Sequence, residues 1–114
     1  MISDVFCKII KKELPAKVVM EGKRWIAIND IHPQAPVHVL IIPKKHIDFP
    51  AIKDSDARLV GELIIAAKKV AQKLKLEKGF RLIINNGEHG GQLVPHFHIH
   101  LLGGKRLGAK IVNN

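Results

Sequence analysis

Three histidines, His96, His98 and His100, stand at alternate positions in the stretch "VPHFHIH", with Phe97 and Ile99 between them. Imidazole titrates near neutrality, so a row of rings can do three kinds of work. It can be a solvated polar face. It can hold zinc, although such sites usually recruit a carboxylate or thiolate and none lies within this stretch. It can act on phosphorus, one neutral ring attacking while another supplies a proton to the leaving group. The third reading fits best with Gly87, Gly90 and Gly91 just upstream, since glycines let backbone N–H groups approach phosphate oxygens closely.

The backbone decides whether the rings can cooperate. In a helix, alternate residues turn about 200° and scatter. In a strand all three would face one way, roughly 7 Å apart, with Phe97, Ile99 and Leu101 facing a core. Large apolar intervening residues select the strand, "VPHFHIHLLG".

Other strands are expected at "KVVMEG" and "RWIAIND", a hairpin turning at Glu21-Gly22, at "VHVLIIP", which reads as buried, and at "FRLIINN". Pro33 and Pro36 make "DIHPQAP" a loop. Leu59, Leu63, Ala67, Val70 and Leu74 recur at helical spacing opposite Lys68, Lys69, Gln72 and Lys73, predicting a long amphipathic helix from Asp54 or Ser55 to near Gly79. A short helix is expected after Ser3 or Asp4, carrying Val5, Phe6, Ile9 and Ile10, and the tail after Gly104 has weak strand character. Strands split by one long helix imply an α+β fold, an antiparallel sheet with a helix on one face, spanning residues 1–114 as one domain.

Composition narrows the partners. Nineteen Lys and Arg against ten Asp and Glu give a formal charge of +9, which favours anionic ligands. Only 4% of residues are aromatic and the lysines are dispersed, which argues against nucleic-acid binding and leaves either small phosphorylated ligands or a merely solvated surface, which charge alone does not separate. No run is apolar enough for a membrane span and no secretory leader is evident. A single cysteine, Cys7, rules out an internal disulfide, so a cytoplasmic location is the expectation.

"HFHIH" followed by Leu101 and Leu102 resembles the motif of the histidine triad family, His-x-His-x-His-x-x with apolar x. "KIIKKELPAK", "DIHPQAPVHVLIIPKKHI", "INNGEHGGQ" and "HLLGGK" are similar to successive segments of its Hint branch, so the resemblance covers about Phe6 to Lys105. It implies a five-stranded sheet with one long and one short helix, paired into a two-fold dimer. It also implies hydrolysis of a purine nucleoside 5′-phosphoramidate through a nucleotidyl-histidine. By position, His98 matches the nucleophile, and His96, His100 and His38 the histidines that orient, contact phosphate and deliver protons. Asp30 matches the ribose-binding carboxylate. Ile31, Val19 and Ile28 would line the base pocket, and Asn85, Gly91 and Gln92 would meet the phosphate side.

Two departures from that pattern stand out. A serine often follows Gly-Gly-Gln in the Hint branch, where this chain has Leu93, which donates no side-chain hydrogen bond. Many bacterial relatives bind structural zinc through an early Cys-x-x-Cys pair, where this chain has Asp4 and Cys7. Asp4, Cys7 and His46 could form a degenerate site, but with half the thiolate pair missing Cys7 reads as a buried helix residue and no cofactor is expected. The Fhit-like branch, which cleaves dinucleoside polyphosphates, is a lesser match because its chains run on past the triad, and a nucleotide binder with vestigial catalysis is the reading Leu93 keeps open.

Overall fold

Strand alternation divides the apolar residues between two faces of one sheet. A computed structural model describes residues 4–109 of the chain; Ser3 and the tail beyond residue 109 lie outside the described residues. The elements are α1 (Val5–Ile10), β1 (Val18–Glu21), β2 (Trp25–Asn29), β3 (Val37–Pro43), α2 (Ala57–Lys73), β4 (Arg81–Ile83) and β5 (Ile99–Gly103), with short 3-10 turns at Phe49–Ala51 and Asp54–Asp56 before α2. The sheet order is β1-β2-β3-β5-β4 and every pairing is antiparallel. This is the α+β architecture the sequence implies.

On one face Trp25, Ala27, Val39, Ile41, Ile99 and Leu101 pack against Leu63, Ala66, Ala67 and Val70 of α2. On the other face Ile26, Ile28, Leu40 and Ile42 pack against Phe6 and Ile9 of α1. β3 is central and covered on both faces, which is why its residues read as a continuous apolar run rather than alternating. His38 shares the parity of Leu40 and Ile42, and His98 and His100 are out of phase with Ile99 and Leu101. The histidine face is therefore the α1 face.

Two expectations change. The last strand begins at Ile99, three residues after His96. Pro95 has no N–H to give a ladder, the His96 N–H closes a tight turn on the Val94 carbonyl (2.8 Å), and the Phe97 N–H goes to Ile47 (2.7 Å). His96 is thus not aligned with His98 and His100. Val19 packs into the α2-side core, away from the histidine face, because the irregular register between Val18 and Met20 sets its direction.

α1 is N-capped by Asp4, whose carboxylate accepts the Cys7 N–H at 2.8 Å. α2 stops at Leu74, earlier than the sequence suggests, because Lys75 turns left-handed with φ 58° and sends the chain toward β4. No helix among the described residues is long and apolar enough to cross a membrane.

Candidate functional site

A cavity of about 230 Å³ opens between α1, the β2 end and the glycine-rich turn. His98 and His100 form its floor, Asp30 and Asn85 its polar margin, and Phe6, Ile9 and Ile28 an apolar wall. Ile31, Gly91, Gln92 and Leu93 complete the rim. The loop stays narrow because Gly87 and Gly91 take φ 72° and 76°, and a Cβ on Gly90 would lie 2.5 Å from the Asn86 carbonyl oxygen.

Hydrogen-bond partners fix which nitrogen of each ring faces the cavity. His98 is buried, and its Nδ1–H donates to the His96 carbonyl at 2.6 Å, which leaves the Nε2 lone pair free. Phe6 meets its ring edge-on, with centroids 5.0 Å apart. His100 lies beside it, centroids 4.9 Å apart. The Gln34 N–H donates to Nδ1 of His38 at 3.0 Å, so a neutral His38 carries its proton on Nε2. That proton points at Nδ1 of His100, 2.9 Å away, so a neutral His100 in turn carries its own proton on Nε2. One ring therefore presents a lone pair and its neighbour an N–H. Asp30 sits beside this pair, 3.4 Å from Nε2 of His38, with its other oxygen accepting the His32 N–H at 2.8 Å.

Burial lowers the basicity of both rings. His98 falls below the usual 6.5 because desolvation outweighs the His96 carbonyl, which favours the cation. His100 drops to about 4, by burial first and then by repulsion from His98 and His38. In the folded chain both rings stay neutral where unfolded histidines already bind protons. The unfolded state then binds more protons, so stability falls as pH drops from 6.5 toward about 4. The urea midpoint should accordingly fall between about pH 7.5 and about pH 5, and more shallowly in His100→Asn.

His96 lies elsewhere. Its ring is fully buried, and its Nε2–H donates to the Pro43 carbonyl at 2.9 Å. Its contact with His98 is through its backbone oxygen, and its ring does not line the cavity. Nδ1 instead faces Asp4 Oδ2 at 3.1 Å and Cys7 Sγ at 3.8 Å. His46 joins them, its Nδ1 lying 3.0 Å from Asp4 Oδ2 and 3.1 Å from Cys7 Sγ. The four donor atoms of Asp4, Cys7, His46 and His96 lie within 4.8 Å of one another. With Nε2 occupied by its own proton, His96 turns a lone pair toward a carboxylate, and two acceptors 3.1 Å apart need a proton or a cation between them. The carboxyl is held below its usual range: burial opposes ionisation, but the hydrogen bonds it accepts, led by that of the Cys7 N–H, outweigh it. This mixed N/O/S set suits a tetrahedral divalent metal such as zinc. Asp30, His38 and His100 are similarly close. Their hydrogen bonds already place a proton on Nε2 of His38, so that cluster is built around protons.

The structure thus brings together His98, His100, Asp30, Ile28, Ile31, Asn85, Gly91 and Gln92, with His38 behind His100. It places Val19 and the His96 ring outside the cavity. Phe6, Ile9 and Val94 belong to the lining although the sequence reading left them out; at helical spacing Phe6 and Ile9 are indistinguishable from ordinary core residues.

Known proteins share this fold. The HIT domain family model matches residues 11–107. A HIT family hydrolase of Legionella pneumophila superposes with a TM-score of 0.91 at 49% identity, covering 94% of this chain and 97% of that one. A HIT family hydrolase of Clostridium thermocellum gives 0.90 at 55% identity, covering 95% and 96%. A maize protein named 14 kDa zinc-binding protein is 45% identical over 106 residues, 90% of this chain and 83% of that protein. With its alternate histidines, its sheet order and nearly its whole length accounted for by these matches, the chain belongs to the histidine triad (HIT) family.

Proposed function

We propose that the chain hydrolyses purine nucleoside 5′-phosphoramidates, such as an adenosine phosphoramidate, through a covalent nucleotidyl-His98. The observation that carries this reading is the 2.6 Å bond from His98 Nδ1–H to the His96 carbonyl, which aims an unprotonated Nε2 into a cavity shared with His100. Nε2 attacks the α-phosphorus as the phosphorus–nitrogen bond breaks. The bound phosphoryl anion favours a cationic His100, whose proton leaves with the amine; for this the Nε2–H of His38 turns from His100 to Asp30, 3.4 Å away, and the carboxylate balances the charge. Water then attacks phosphorus, His100 takes back a proton, and His98 departs neutral with release of the nucleoside monophosphate. Asp30 receives the ribose hydroxyls, Phe6, Ile9, Ile28 and Ile31 enclose the base, and the turn around Asn85 and Gly91 faces the phosphate. The lysine and arginine excess draws the anion in. Assaying an adenosine phosphoramidate and a diadenosine polyphosphate side by side, without added metal, tests this: preferential turnover of the first supports it, and turnover of only the second rejects it.

Leu93 favours a second reading, nucleotide binding with little turnover, since its 94% exposed side chain lines the cavity without a donor. Leu93→Ser introduces a hydroxyl there without disturbing packing, and kcat/KM should rise about 5- to 100-fold, the worth of one such donor.

We also propose zinc at Asp4, Cys7, His46 and His96. Bound there, it ties α1 to the residue whose carbonyl holds His98. Elemental analysis of protein purified without chelators should find equimolar zinc, lost in Cys7→Ala. Zinc-free wild type rejects the site. Finally, Ile64 and Ile65 of α2 and Phe80 and Leu82 beside the β4 edge are exposed apolar residues, which supports a two-fold homodimer through α2 and β4.

A further inference from the structure

We propose that Gln92 is a positioning residue whose side chain, anchored on Asp48, holds the phosphate-facing turn in register with His98. The proposal rests on reading the cavity as the nucleotide site and deepens it. Gln92 was expected to meet the nucleotide itself, but its side-chain amide is already engaged. Oε1 accepts the Gly87 N–H at 2.8 Å, and Nε2 donates to Asp48 Oδ1 at 2.8 Å and to the Val94 carbonyl at 2.9 Å. Both amide protons are used, so the side chain has no donor left for a ligand.

These three bonds join three separate pieces of chain. Gly87 opens the turn, and Val94 closes it before the Pro95 bend. Asp48 lies on the connection from β3 to α2, oriented by the Phe49 N–H on the same Oδ1 at 2.8 Å. The residue before it, Ile47, accepts the Phe97 N–H at 2.7 Å. Residues 47–49 are therefore a common mount, reached by His98 through its neighbour Phe97 and by the turn through Gln92. The turn's own backbone bonds, from Gly90 and Gln92 to the Gly87 carbonyl and from Gly91 to Glu88, close it internally but do not fix it to anything else. The Leu93 and Val94 N–H groups take no part in those bonds, and both residues line the cavity. Their placement relative to Nε2 of His98 depends on the brace.

A complementary pair of substitutions tests it. Gln92→Glu keeps the acceptor for Gly87 but removes both donors and sets a carboxylate against Asp48. Asp48→Asn in the same chain removes the like charge and supplies Nδ2, beside the Oδ1 that accepts from Phe49, as a donor within reach of the new carboxylate. In Gln92→Glu, amide hydrogen exchange across residues 87–94 should accelerate about tenfold, adenosine monophosphate should bind about tenfold more weakly by calorimetry, and kcat should fall more than KM rises. The double variant should recover most of each loss. A residue that merely stabilises the fold would lower the unfolding temperature without this reciprocal rescue. Unchanged exchange in Gln92→Glu, or a double variant as impaired as the single one, overturns the proposal. Gln92→Ala, which deletes the contacts without adding charge, gives the same exchange readout should a charged variant fail to fold. Exchange needs no nucleotide, so the brace is decided even if the wild type proves to have no phosphoramidase activity.

Discussion

His98→Asn reduces phosphoramidate turnover by about 10⁴-fold or more, because no other group in the cavity supplies a lone pair at the same place. Asparagine is the informative replacement. Its side-chain amide can still donate to the His96 carbonyl that now receives Nδ1–H, so the bend from Pro95 to Ile99 keeps its internal bond. The unfolding temperature and the affinity for adenosine monophosphate should therefore stay close to wild type while kcat collapses. Steady-state kinetics beside calorimetry separates the two. Retention of more than a small fraction of wild-type kcat would show that another residue makes the bond to phosphorus.

Ile99→Ala is expected to have the largest effect on stability, and it reaches the site from the opposite face of the sheet. Ile99 is fully buried between sheet and α2, pairs with Ile41 across the β3–β5 ladder, and separates His98 from His100. Truncation leaves a cavity that the strands cannot close, at a cost of about 2–5 kcal/mol. Thermal unfolding should fall by about 10 °C or more. The two rings are mounted on the strand this side chain anchors, so kcat should drop as well at a temperature where the variant remains folded. An equal change at an exposed position such as Ile65 of α2 should leave kcat untouched in the monomer's site.

The alternation behind the strand Ile99–Gly103 was legible because only two periods were in competition, and Phe97, Ile99 and Leu101 all chose the same one. The uninterrupted run of β3 was legible for the complementary reason: a central strand covered on both faces has no polar side to show. Period alone could not tell that Pro95 and the His96 turn delay the strand to Ile99, since that depends on where the Phe97 N–H finds an acceptor, on Ile47, fifty residues away in the chain. His96 consequently changes company. Its ring adds a fourth donor to Asp4, Cys7 and His46, the three residues the sequence already offers for a metal. Val19 went to the wrong face because an irregular register between Val18 and Met20 breaks strict alternation there, and nothing in "KVVME" announces it. Phe6 and Ile9 carried a signal, helical spacing, that is the same for a core residue and for a pocket wall. The Gln92 brace depends on Asp48, distant in sequence, so only the folded chain displays it.

Chemical quenching during turnover of an adenosine phosphoramidate, followed by peptide mass analysis under alkaline conditions that spare phosphorus–nitrogen bonds, addresses the attack by His98 most directly. The expected product is one nucleotidyl group on the peptide containing residues 96–100, located on the ring of His98 and absent in His98→Asn. An adduct on His96 or His100, or rapid turnover with no trapped adduct at any quench time, would contradict it.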